Sequence, residues 1–379
     1  MKKRRFNAKQ YINYIVIGLL TVVLAILTMT KTVFPSSFLY LMEKMSISVI
    51  LAISLSLVVG FLGELSLGHA GFMCVGAYLG GKVASMLVPV MGNSIPTFLI
   101  SLAVGAVAAA ICGAIIGIPA LRLRGDYLAI VTLAFGEIVK SIFQNTSDAT
   151  FGGAMGLATP RFSKSYLFLF ALVLVLITLA VVQNFIRSKH GRAVTAIRDN
   201  EIAAKATGIN VTKYKLIAFI ISATFAGVAG VLYSFSTSTI QSITFDYNYS
   251  IEILVMVVLG GMGNINGSII AAALITFLNT KLPTILTGDL AVLQDLLYAL
   301  ILIVIIIYNN APALKNFRDR FSLGKLMKKL FRHKNDPSSV SDDAAKWDVV
   351  PTKIEMNEVL SVDMVPPDLQ DSAGKGGDD

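Results

Sequence analysis

Apolar runs without a charged side chain recur along this chain at 12–30, 45–63, 166–186, 216–245 and 296–314. Each is close to or longer than the roughly 20 residues an α-helix needs to cross the hydrocarbon core of a bilayer. With the less uniform segments between them, the pattern predicts an all-α polytopic membrane protein of about ten transmembrane helices, some of them broken. They fall near 12–30, 45–62, 70–88, 95–118, 127–143, 166–186, 216–238, 246–261, 267–281 and 290–308. The fifth contains Glu137 and Lys140, and the eighth is short and runs into glycine, so either is a candidate partial helix.

Charge placement sets the expected sides. Short loops rich in Lys and Arg stay cytoplasmic, so the basic end at 1–11 (MKKRRFNAKQY) is read as cytoplasmic and followed by an uncleaved first helix, since no small-residue cleavage site follows the run. Alternation then puts both termini inside an inner or plasma membrane. The loop 187–215, with seven basic residues, and the turn at Arg122 and Arg124 also fall inside. The outside loops hold fewer basic residues: Lys31, Lys44, Arg161, Lys164 and Lys281. The membrane domain spans 12–308. A basic juxtamembrane segment at 309–334 suits an anionic lipid surface, and an acidic tail at 335–379, rich in Pro, Ser and Gly, has the composition of disorder.

Composition removes several function classes. At 379 residues with 55% hydrophobic and 15% charged residues, the chain is too apolar for soluble domains. The net charge of +9 is spread between apolar runs instead of lining one face, so nucleic acid is not an expected partner. Cys74 and Cys112 lie within apolar segments, which indicates neither a disulfide framework nor a metal site. GAYLGGK at 76–82 has phosphate-loop spacing, but Val83 stands where the magnesium-binding Ser or Thr belongs, and the segment reads as an apolar helix with glycines at packing spacing. No catalytic triad, HExxH or paired-carboxylate arrangement is present, so no catalytic residue and no bound cofactor is expected.

Two glycine-interrupted segments look alike, VVGFLGELSLGHAGF around Gly60 and VVLGGMGNINGSIIA around Gly260. They are either an internal repeat of the kind transporters use to build unwound, cavity-lining backbone, or two unrelated glycine-rich helices. Glu64, Ser66, Gly68 and His69 follow the first break at the cytoplasmic side, as a gate or as interface residues. Asn264 and Gly267 follow the second, as a polar passage or as a helix-hairpin turn. Glu137 stands one turn from Lys140, so a local ion pair competes with a pathway role.

The loop 187–215 contains a short helical stretch at 199–207 that Asn200 is able to cap and Gly208 to close. Ala203, Ala204 and Ala206 leave room for a partner to seat closely. The run EIAAKATGIN resembles the coupling loop of ABC importer permeases, with Glu201, Ala203, Ala204 and Gly208 at its characteristic positions. GELSLGHAGFMCVGAYLGG, ALRLRGDYLAIVTLAFGEIV and SIEILVMVVLGGMGNINGSIIAAAL extend the resemblance, from about 45 to 308, to the LivM family.

That resemblance implies a permease subunit importing leucine, isoleucine or valine. It implies a second permease of the LivH type, two cytoplasmic ATPases that use ATP and Mg, and an external binding protein. A urea or short-amide importer shares the same motifs. A stand-alone ion-coupled transporter needs no coupling loop.

Overall fold

The computed structural model describes residues 36–285, apart from 124 and 163, together with 303. The expected first and tenth spans, the basic N-terminus, the basic juxtamembrane segment and the acidic tail lie outside the described residues.

Ten α-helices of six or more residues, a four-residue helix at Asp148–Phe151, two short 3-10 turns, a π-helical segment and one two-residue bridge make up the described residues. Helix α1 (Ser36–Ser56) continues into a π-helical segment, Leu57–Leu62, that stops at Gly63 in the left-handed region (φ 79°). Extended backbone leads to α2 (His69–Met91), α3 (Ile95–Ala120) and α4 (Asp126–Gln144). Then come α5 (Lys164–Arg187), α6 (Lys189–Asp199), α7 (Glu201–Ala206), α8 (Val211–Ser236), α9 (Tyr247–Gly260) and α10 (Ile265–Ile285). Strand β1 (Leu157–Ala158) pairs antiparallel with β2 (Thr239–Ile240). The bridge ties the α4–α5 connection to the α8–α9 connection at the end of the bundle opposite loop 187–215.

Among the described residues, six stretches are long and apolar enough to cross a bilayer: Ser37–Leu62, His69–Met91, Ile95–Ala120, Tyr166–Arg187, Val211–Ser236 and Ile265–Pro283. The all-α membrane expectation holds; some bounds differ, and the fifth and eighth segments, the candidate partial helices, are α4 and α9. The second span begins nine residues early, so Lys44, expected in an outside loop, is a residue of α1. Lys281 likewise lies within α10, and Lys164 opens α5. Helix α4 carries Glu137 and Lys140 and is not among the six. Helix α9 has 14 residues, about 21 Å at 1.5 Å per residue, too short for a hydrocarbon core of roughly 30 Å.

Burial sorts the helices into centre and rim. The most apolar window of α1 is 89% buried, that of α3 only 22%. Helix α3 exposes Val104, Val107, Ile111, Ile115 and Ile118, an apolar face whose natural solvent is lipid. Between helices in lipid the hydrophobic drive is absent, and small residues that let backbones approach supply the packing. A Cβ on Gly76 would stand 2.3 Å from the Gly227 carbonyl oxygen, one on Gly227 2.8 Å from that of Gly105, and one on Gly105 2.9 Å from that of Gly76. Helices α2, α3 and α8 therefore meet backbone to backbone. GAYLGGK is the middle of α2, and its Gly76 is a packing residue, not part of a phosphate loop.

Candidate functional site

Loop 187–215 folds as two helices where one stretch at 199–207 is expected. Asn200 is the reason. Its extended backbone (φ −157°, ψ 103°) ends α6, and its side chain accepts the Ala203 amide at 3.0 Å, capping α7. At the far end of α7 the Gly208 and Ile209 amides donate to Lys205 and Ala204 at 3.1 Å each, with Gly208 at φ 85°. This is the left-handed helix stop that glycine supplies most readily. The cap and the stop are as expected. The small-residue face is not uniform: Ala204 is buried against the body, whereas Ala203, Ala206 and Ile202 point outward, Ile202 at 76% exposure.

Glu201 and Glu64, read separately from sequence, share one partner. Lys215, on the first turns of α8 and 3% exposed, donates to Glu64 Oε1 at 2.5 Å and to Glu201 Oε2 at 3.2 Å. Glu64 is 13% exposed. At such burial the two charges compensate each other, and removing one member leaves the other desolvated and uncompensated. Lys215 thus joins the start of α7 to the break after α1. A second tie runs from the end of α6, where Arg198 Nη1 donates to the Gly60 carbonyl at 3.2 Å and its side chain packs on Gly63.

The two glycine breaks touch. A Cβ on Gly60 would lie 2.5 Å from the Gly263 amide nitrogen, and one on Gly263 would sit 3.7 Å from Arg198 Nη1. The second break is a tight hairpin. Asn264 Oδ1 accepts the Gly267 amide at 3.3 Å, and a Cβ on Gly267 would overlap the Gly260 carbonyl at 1.8 Å. The hairpin alternative for Asn264 and Gly267 is the one these contacts fit. Loop 187–215, the first break and the second break therefore form one contiguous contact, a convergence invisible to spacing.

The remaining expected residues are placed as follows. His69 is buried and its Nε2 hydrogen-bonds Ser54 Oγ at 2.8 Å, while Ser222 donates to the Ser54 carbonyl at 2.5 Å, so α1, α2 and α8 meet at Ser54. Gly68 lies against Thr132 of α4, whose hydroxyl accepts the Leu67 amide at 3.0 Å. Ser66 is buried, and its hydroxyl has no hydrogen-bond partner among the described residues. Glu137 pairs with Lys140 as the local account expects, and it also accepts the Tyr247 amide at 3.0 Å. Asp246 caps the same helix start through Tyr249 at 3.0 Å. Two carboxylates thus stand at the positive end of α9. Glu137 is separate from the junction at Glu64.

Sequence reasoning missed Lys215, Arg198 and Gly263. Lys215 is the last charged residue before an apolar run and reads as a topology marker. Only its burial distinguishes it.

Residues 37–307 match the family described as branched-chain amino acid transport system / permease component. The chain is 37% identical over 261 residues to the high-affinity branched-chain amino acid transport system permease protein LivM of Salmonella typhimurium, covering 60% of each chain. It is 27% identical over 319 residues to the ribose import permease protein RbsC of Escherichia coli, covering 78% of this chain and 92% of that one. It is 29% identical over 156 residues to the probable branched-chain amino acid transport permease protein LivH of Methanocaldococcus jannaschii, covering 41% and 46%. The match therefore spans about three fifths of the length of the Salmonella LivM relative. No solved structure gives a significant match. With the family match covering most of the chain and the helical, lipid-suited bundle behind it, the chain belongs to the branched-chain amino acid transport permease family.

Proposed function

We propose that this chain is one permease subunit of an ATP-driven importer of branched-chain amino acids. The observation that carries the reading is Lys215, buried between Glu64 and Glu201. It makes α7, the second helix of the α6–α7 projection with Ile202 outward, mechanically continuous with the broken backbone inside the bundle. A soluble ATPase seated on α7 has a rigid route to both breaks. Coupling of this kind needs contacts that differ between two states, and an ion pair at a helix break is such a contact.

In this reading the chain has about ten membrane helices, α9 a partial one, in the inner or plasma membrane, with both termini cytoplasmic. A second LivH-type permease completes the path, two cytoplasmic ATPases bind ATP and Mg, and an external binding protein delivers the solute. This chain carries no catalytic residue of its own. The likeness to ribose permeases favours a neutral polar solute as the second reading, and uptake assays with each solute separate the two.

Purification of the tagged full chain in mild detergent tests the assembly. Wild-type chain is expected to bring down ATPase subunits, and Ile202→Ser with Glu201→Gln to lower their recovery at least about tenfold, the loss of an apolar anchor and of the half-buried Glu201 contact with Lys215. Equal recovery removes α7 as the docking element, and no ATPase in the wild-type eluate removes the importer reading.

A further inference from the structure

A cavity of about 200 Å³ opens between α1, α8, α9 and α10 in the half of the bundle away from loop 187–215. It is smaller than the ~300–1,000 Å³ sites that hold drug-sized ligands, and suits a solute of amino-acid size. Lys44 of α1, Glu252 of α9, and Asn279 and Thr276 of α10 supply its polar wall. Ile47, Met73 and Phe245 supply the apolar one. Lys44 stands 16 residues before Gly60 along α1, about 24 Å of helix, so the cavity and the ionic junction occupy opposite halves of one rod.

Ionisable residues at membrane depth are expensive, and they persist where they face a water-filled cavity or a ligand. Here two opposite charges share one cavity, yet no ion pair joins them among the described residues. Glu252 is held by the Asn279 side-chain amide, and the Lys44 ammonium lies 4.8 Å above the Tyr40 ring. Thr276, 94% buried, lines the same space, and its hydroxyl has no hydrogen-bond partner among the described residues. A cation, an anion and an unanswered hydroxyl around one void make a template that a zwitterion completes.

We propose that this cavity is a solute site of the chain, taking an aliphatic α-amino acid. Glu252 and Asn279 receive its ammonium group, Lys44 receives its carboxylate, and Ile47, Met73 and Phe245 receive its side chain. A sugar carries no charge to match either residue. The assignment rests on the transport reading given above, and it adds where the solute is held and by which atoms.

The test uses the complete importer in proteoliposomes with ATP inside and binding protein outside. Lys44→Met and Glu252→Gln are each expected to lower leucine uptake per ATP hydrolysed by about tenfold or more, the loss of a charge-assisted contact. Lys44→Arg keeps most of it. In a chain with Cys74 and Cys112 replaced by alanine, Thr276→Cys is expected to react with a small thiol reagent more slowly when leucine is present. That protection stands even where a charge variant fails to assemble. A wild-type complex that imports no leucine overturns the transport reading and the site with it. Leucine import untouched by both charge variants, or no protection of Thr276→Cys, overturns the site alone.

Discussion

Arg198 donates through Nη1 to the carbonyl of Gly60 at 3.2 Å, across 138 positions of sequence. The acceptor belongs to the π-helical segment that ends the α1 rod, where the regular hydrogen-bond ladder has already loosened. A guanidinium from outside the rod thus holds backbone that the rod holds poorly.

Arg198→Ala is expected to leave the chain folded and the complex assembled, while ATP hydrolysed per solute imported rises several-fold. Asp199→Asn is the control. The Arg198–Asp199 pair is 40% and 68% exposed, and such pairs contribute under about 1 kcal/mol. Coupling that survives Arg198→Ala and fails in Asp199→Asn removes Arg198 as a transmitting contact.

Lys215→Met leaves the Glu64 carboxylate facing an apolar side chain at 13% exposure. Breaking one partner of a buried pair costs about 3–5 kcal/mol, so the midpoint of heat-induced loss of monodisperse protein in detergent falls clearly. Lys215→Met with Glu64→Gln recovers part of it, because the uncompensated charge is gone. A single variant as stable as wild type shows that the junction is wetter than its geometry indicates.

Gly60→Ala places a methyl 2.5 Å from the Gly263 backbone nitrogen, whereas Gly136→Ala meets nothing closer than 3.8 Å. The first is expected to reduce the yield of folded protein severely and the second to leave it near wild type. Equal yields separate the two glycine breaks and undo the contiguous contact between them.

Gly208 has φ 85° and open space around its α-carbon. Any effect of replacement is therefore backbone strain, roughly 1–2 kcal/mol for an ordinary L-residue. Asparagine, which tolerates the left-handed region, is expected to keep ATPase recovery. Valine is expected to lower it while total expression holds. Identical recovery for both removes the helix stop from the docking element.

The sequence exposes what repeats and hides what converges. Apolar runs predict the membrane helices to within a few residues for α2, α3 and α5, because a span must be apolar along its whole length. Asn200 and Gly208 are legible because capping is local chemistry. Lys44 is misplaced because a lysine near a span's end reads as a loop, although a long side chain is able to remain in a helix when a cavity receives its charge. The bond from Lys215 to Glu64 is invisible for a further reason: no local pattern encodes which of several charged residues meet across 151 positions.

The joint at Ser54, where α1, α2 and α8 hydrogen-bond at one residue, and the glycine crossing of α8 with α2 leave those helices little slack. Close-packed interiors transmit displacement instead of absorbing it. In the proposed transport cycle the three are expected to act as a stator. Motion between an outward and an inward state is then expected to fall to the pieces hung on it, the extended backbone at 63–68 and the α9–α10 hairpin. Spin-label distances between α1 and α8 stay constant through an ATP cycle, while those from α8 to α10 change.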